Sequence, residues 1–185
     1  MSFWTDLRVP AQHEALIAFF DCNWLRQYAE KTSDKLEVMA AVAGYFTLTG
    51  GIIAEAGGRL IKTMGDGGLA VFPADLIDEG VLAFHQVQEQ GEAWFARRGE
   101  PVHVTVRMDV GPVVFGMVGS PDAEILDVLG KAVALAHLLP STGFSVSPTV
   151  FRHLRPETRK LFKKHTPPVR YIAADDHHPR ERAPE

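Results

Sequence analysis

The chain has 185 residues, 46% hydrophobic and 23% charged, a globular composition with material for one core and room for one domain. Nineteen Lys and Arg against 23 Asp and Glu give −4 with neutral histidines, which argues against general nucleic-acid binding, because a phosphate backbone demands clustered cations. The single cysteine, Cys22, excludes an internal disulfide and a cysteine-built zinc cage, and with neither a membrane-length apolar run nor a secretory leader in view, a cytoplasmic protein off the membrane is expected.

Residues 1–13 read as a loosely packed lead-in. Ala15 to Phe20 is a short bulky run that stops at Asp21, the pattern of a buried central strand. After a polar stretch, Leu36, Met39, Ala43, Phe46 and Ile53 recur at helical spacing behind Asp34, a suitable N-cap, and Gly57-Gly58 ends that helix. Arg59 to Phe72 reads as a hairpin around Gly65-Asp66-Gly67-Gly68, a turn suited to positive φ. A second amphipathic helix turns Ile77, Val81, Phe84 and Val87 inward. Val102, Val104 and Val106 alternate with polar residues as a half-buried strand. Gly111-Pro112 then predicts a turn into a strand from Val113 to Val118. Ile125–Leu129 predicts a short strand, Lys131–Leu139 a short helix, and Phe144–Val146 and Val169–Ile172 closing strands. The expected domain is 14–174, with a charged tail at 175–185. The order strand, helix, hairpin, helix, strand is α+β, a ferredoxin-like βαββαβ pattern extended at its end, with a mostly antiparallel sheet and helices on one face.

Asp21 ends a buried strand and Asp66 sits in a glycine-rich turn. If their strands are neighbours, both carboxylates leave the same sheet edge, where mutual repulsion favours a cation between them. Hard oxygen ligands without His or Cys side chains suit Mg²⁺ or Mn²⁺, and such ions usually also hold phosphates. Two aspartates in turns are also common for purely conformational reasons.

Three ordered segments, taken together, resemble the catalytic domain of class III nucleotidyl cyclases. They are Gly57-Gly58-Arg59-Leu60-Ile61-Lys62-Thr63-Met64-Gly65-Asp66-Gly67, then Val106-Arg107-Met108-Asp109-Val110-Gly111-Pro112-Val113-Val114, then Asp127-Val128-Leu129-Gly130, within a match from about Leu16 to Ile172. The resemblance implies a palm that dimerises head to tail with active sites at the interface. It implies attack of the ribose 3′-OH of a nucleoside triphosphate on its α-phosphate, with pyrophosphate leaving. Asp21 and Asp66 fall on the family's metal-binding pair for two ions, with the backbone carbonyl of Cys22 as a further ligand. Lys62 and Asp127 fall on the base-selecting pair. Lys donating to adenine N1 and Asp accepting from its N6 amine favour ATP over GTP, whose O6 would leave the carboxylate unpaired.

The sequence departs from that pattern at the transition state. The family's ribose-orienting Asn and phosphate-stabilising Arg become Ala134 and Leu138, neither of which donates a side-chain hydrogen bond. Loss of one preorganised donor costs about 10²–10³ in rate, and an arginine on a phosphoryl transition state contributes about 10³–10⁵. Trp24 stands in the run after Asp21 where the family has Gly, which predicts a less open backbone for phosphate. Lys131 replaces the family's acid after the third motif and shares a helix face with positions 134 and 138, where it is a possible substitute cation. Three functions follow: an impaired adenylate cyclase homodimer, a metal-bearing half that needs a complementary cyclase chain, or a non-catalytic nucleotide-binding scaffold. Asp109 reads as structural.

Overall fold

A computed structural model describes residues 3–22, 24–100, 102–166 and 168–176. Eight strands form one sheet: β1 (Ala11–Asp21), β2 (Arg59–Met64), β3 (Gly67–Pro73), β4 (Thr105–Val118), β5 (Ile125–Leu129), β6 (Phe144–Val146), β7 (Phe162–His165) and β8 (Arg170–Ala173). Their order is β2-β3-β1-β4-β6-β8-β7, with β5 on the far half of β4, and the β4–β6 pair alone is parallel. The fold is the α+β palm that the sequence predicts. β1 is central, and Ala15 to Phe20 is buried on both faces.

The two long helices, α3 (Lys35–Glu55) and α4 (Ile77–Ala96), cover one face. Shorter helices are α1 (Phe3–Asp6), α2 (Leu25–Lys31), α5 (Lys131–Leu138), α6 (Pro148–His153) and α7 (Pro156–Arg159). The larger core lies under α3 and α4, where Phe20, Tyr45, Phe72, Phe84 and Phe95 meet. A smaller core on the other face joins Ile17, Phe19, Val71, Phe115 and Val128 under α1 and α5. The expected one-sided layer thus holds for the long helices, while two short ones cover part of the second face.

Three local expectations change. The lead-in is ordered where it is described: Phe3, Trp4 and Leu7 pack on the second core, Trp4 Nε1 donates to Gly57 O at 2.8 Å, and β1 begins at Ala11. The Gly111-Pro112 turn is absent, because β4 runs straight through it, with Ala15 opposite Gly111 and Glu14 opposite Pro112. On its other flank β4 pairs β6 over 106–108 and β5 over 114–118, so the proline falls between partners, where a missing N–H costs least. Finally, α3 starts as predicted, with the Asp34 carboxylate accepting from Leu36 N at 2.8 Å, but it faces another way. Val38, Ala41, Tyr45, Thr49, Ile52 and Ile53 are buried, whereas Leu36 is 80% and Met39 67% exposed. No charged residue stands between Glu37 and Glu55, so periodicity could not choose the inner face. By length and composition α3 could also cross a membrane; here its inner side packs into the core. Of the tail, Asp175 and Asp176 are described, and 177–185 lie outside the described residues.

Candidate active site

β1 pairs antiparallel with β3, Phe20 opposite Gly68, which sets Asp21 beside the β2–β3 turn. Gly65 takes φ +65° there, as the turn requires. Gly67 is needed for closeness: a Cβ on it would overlap the Phe20 carbonyl oxygen and stand 3.1 Å from Asp21 Oδ1. Asp21 thus ends β1 next to the turn that carries Asp66, and both charges act on the Cys22 thiol between them in sequence. Thr105 Oγ1 donates to the Asp21 carbonyl at 3.0 Å and fixes the strand end.

Asp66 also holds the segment that follows β1. The backbone N–H groups of Trp24 and Leu25, at the start of α2, both donate to Asp66 Oδ2, the latter at 2.6 Å. The Trp24 indole does not lie over these amides. It is 2% exposed and stacks on Tyr28 with 4.4 Å between ring centroids. The Asp66 carboxylate is what engages the backbone there.

Cys22 turns its thiol inward and donates to the Asp66 carbonyl at 3.0 Å. Burial, followed by the Asp66 and Asp21 charges, pushes that thiol well above its ordinary pKa, so it stays protonated. Beside it lies Tyr45, 1% exposed, whose hydroxyl is raised by burial first and by Cys22 next. Sequence reasoning missed Tyr45 because it sat on the side of α3 read as outward.

Lys62 and Asp127, 65 residues apart, form a two-pronged ion pair, Nζ to Oδ1 at 2.8 Å and to Oδ2 at 2.7 Å. Asp127 is 9% exposed and also accepts from Val128 N at 2.8 Å. The β2–β3 hairpin therefore carries both groups, Lys62 on its first strand and Asp66 in its turn. A groove of about 470 Å³ between α1, β2 and β5 includes Trp4, Ile61 and Leu126, the last two adjoining Lys62 and Asp127 in the chain.

On α5, Ala132 and Ala136 pack on the second core, and Lys131, Ala134 and Leu138 are exposed on the outer side. Leu138 is 74% exposed, an apolar side chain held in solvent. Asp109 is structural, as predicted: it is 4% exposed and accepts from the Ser147 hydroxyl.

Two carboxylates at one strand end suit a hard divalent cation that completes its shell with water or phosphate oxygens. Among the described residues no cluster of three or more His, Cys, Asp or Glu side chains forms a closed metal cage.

This architecture is that of the adenylyl and guanylyl cyclase catalytic domains. A bacterial light-regulated adenylyl cyclase superposes with TM-score 0.70 at 21% identity over 89% of this chain. The chain spans about half of that protein, 52% of its length. The adenylyl cyclase CyaB from P. aeruginosa gives TM-score 0.76 at 13% identity, covering 90% of this chain and 96% of that one. A dimeric guanylyl cyclase domain of the RhoGC fusion protein from the aquatic fungus Blastocladiella emersonii gives 0.72 at 15% identity, covering 89% and 98%. No sequence-family model and no curated protein sequence matches the chain.

Proposed function

We propose that this chain is a nucleotidyl cyclase catalytic domain converting ATP to 3′,5′-cyclic AMP and pyrophosphate at a dimer interface, with turnover lowered by Ala134 and Leu138. The observation that carries this is the Lys62–Asp127 pair, whose lysine stands on the same hairpin as Asp66. A buried acid fixed beside a lysine offers one acceptor and one donor side by side, the complement of the adenine edge. In this reading Asp21 and Asp66 hold two Mg²⁺ or Mn²⁺ ions, which would lower the pKa of the ribose hydroxyl and offset triphosphate charge. The Cys22 carbonyl would be a further ligand. The chain's own residues orient the base through Lys62 and Asp127 and leave Lys131 as the lysine on the α5 face. No side chain of Ala134 or Leu138 supports the ribose or the α-phosphate.

Incubation of the purified chain with ATP, GTP, CTP and UTP plus Mn²⁺ tests this. Slow cyclic AMP formation from the chain alone supports it, and loss of that residue of activity in Lys131→Ala, with assembly intact, supports the substitute-cation role. Unchanged turnover in Lys131→Ala removes that role. A second reading has one observation in its favour, the exposed apolar Leu138 at the vacated position. There the chain is the metal-bearing half of a heterodimer, and product appears only with a complementary cyclase chain. Metal-dependent nucleotide binding without product under either condition would instead mark a signalling scaffold.

A further inference from the structure

Behind the Asp66 turn lie two buried polar side chains that packing alone does not explain. One is Cys22, whose thiol donates to the Asp66 carbonyl at 3.0 Å across 44 positions of sequence. The other is Tyr45, in the middle of α3 and 1% exposed, whose hydroxyl makes no well-formed hydrogen bond among the described residues. Its ring cannot swing away to find one: it is held between Phe95 and Phe20, with centroids 4.9 Å and 6.5 Å away. Gly91 on α4 leaves room for it, since a Cβ there would stand 3.2 Å from Tyr45 Cε2 and 4.0 Å from its hydroxyl oxygen. The polar group that acts most on the hydroxyl is Cys22, ahead of Asp66 and Asp21. A phenylalanine would fill the same aromatic nest without burying a poorly bonded oxygen.

The two groups fit one chain of polarity. The thiol has a single proton, and it goes to Asp66 O, which leaves the sulfur lone pairs facing the Tyr45 hydroxyl as its acceptor. Sulfur is a weak acceptor, so this link is loose. Its far end is where support is needed. Asp66 stands between Gly65 and Gly67, neighbours without side chains, in a turn with φ +65° at Gly65. The carbonyl that Cys22 holds belongs to the same residue whose carboxylate accepts from Trp24 N and Leu25 N. Fixing one end of Asp66 to β1 therefore limits where its other end points.

We infer that Cys22 and Tyr45 are positioning residues for Asp66: the thiol ties the turn to β1, and the Tyr45 hydroxyl holds the thiol in that rotamer, so that the Asp66 carboxylate is presented beside Asp21 to a divalent cation. This rests on the reading of Asp21 and Asp66 as the metal pair. Neither side chain touches the cation or the nucleotide. The signs of the two effects differ. Loss of the Tyr45 oxygen relieves the buried core and loosens Asp66, whereas a purely structural residue would lower stability and affinity together.

Two measurements on the intact chain without nucleotide test this: Mn²⁺ affinity by electron paramagnetic resonance, and amide hydrogen exchange at Trp24 and Leu25 by NMR. Cys22→Ala should weaken Mn²⁺ binding about tenfold, the usual effect of losing a group that orients a metal ligand. Tyr45→Phe should weaken it about threefold with Tm unchanged or raised. Cys22→Ser, which can still donate to Asp66 O, should bind more tightly than Cys22→Ala. In metal-free protein the two amides should exchange about fivefold faster in Cys22→Ala and Tyr45→Phe than in the native chain. Unchanged exchange in both variants would overturn the inference, as would a Tyr45→Phe chain that loses Tm and keeps its Mn²⁺ affinity. Asp66→Asn separates the two layers. If it binds Mn²⁺ as the native chain does, the metal reading fails, and the exchange rates alone decide whether Cys22 and Tyr45 hold the turn.

Discussion

Breaking the Lys62–Asp127 pair from its cationic side is the sharpest test of the geometry. Lys62→Met removes both bonds from the ammonium and leaves the carboxylate one described donor, the N–H of Val128. The side chains are 30% and 11% exposed, so the pair lies between two regimes. Breaking a buried pair costs about 3–5 kcal/mol, and an exposed pair contributes about 0–1 kcal/mol. An acid this enclosed beside a partly solvated lysine places the loss near 2 kcal/mol, or roughly 4–8 °C in Tm for a domain of this size. Asp127→Asn keeps a hydrogen-bonding oxygen and should lose about 1 kcal/mol. Lys62→Met with Asp127→Asn leaves no stranded charge and should cost about 1 kcal/mol. Urea unfolding of the four proteins at constant slope measures this cycle. The double variant should be about 2 kcal/mol better than the sum of the singles. Additive losses, or a Lys62→Met cost below about 0.5 kcal/mol, would refute the idea that Asp127 relies on Lys62.

Gly67→Ala should lose about 3 kcal/mol, because its Cβ meets the backbone of β1, whereas Gly51→Ala, whose Cβ meets nothing within 4 Å, should gain about 0.5–1 kcal/mol; thermal melts compare them. Cys22 adds a pH signature. Its folded thiol is raised above the unfolded value near 8.5, so both states are protonated below that pH and the contribution is fully present there. Above it only the unfolded chain releases the proton, and stability should fall by about 1.4 kcal/mol per pH unit. Unfolding between pH 7 and 10 should show that slope in the native chain and not in Cys22→Ala. Under the proposed function, Ala134→Asn with Leu138→Arg should raise cyclic AMP formation at least 10²-fold, read by product chromatography; no gain would detach those positions from the chemistry.

Strand β1, the β2–β3 hairpin, helix α4 and the short β5–α5 unit were legible because each has a pattern with one solution. Ala15 to Phe20 is too short and bulky for an exposed helix, and the glycines around Asp66 leave room only for a turn pressed against a neighbour. The placing of Asp21 beside the turn of Asp66 followed from that pairing, and the meeting of Lys62 with Asp127 from the motif comparison. The orientation of α3 was not legible, since a helix apolar on all sides offers hydrophobicity to both core and solvent. Local turn chemistry misled at Gly111-Pro112, where pairing along β4 outweighs a residue preference. The fate of Trp24 depended on Tyr28 and Phe95, a pocket made by chain segments far apart in sequence.

The grip of Asp66 on the amides of Trp24 and Leu25 has a thermodynamic side. Under the proposed function the carboxylate is its own competitor: an incoming ion would draw Asp66 toward itself against two hydrogen bonds, and an incoming phosphate would displace it from those same amides. Metal and anion then each loosen what the other has to break, so the first to arrive meets the full resistance and the second meets less. Such an arrangement yields positive cooperativity between cation and triphosphate without any movement of the sheet. Nucleotide without metal, or metal without nucleotide, would bind this chain weakly, and the complete pair far more tightly than the product of the two affinities.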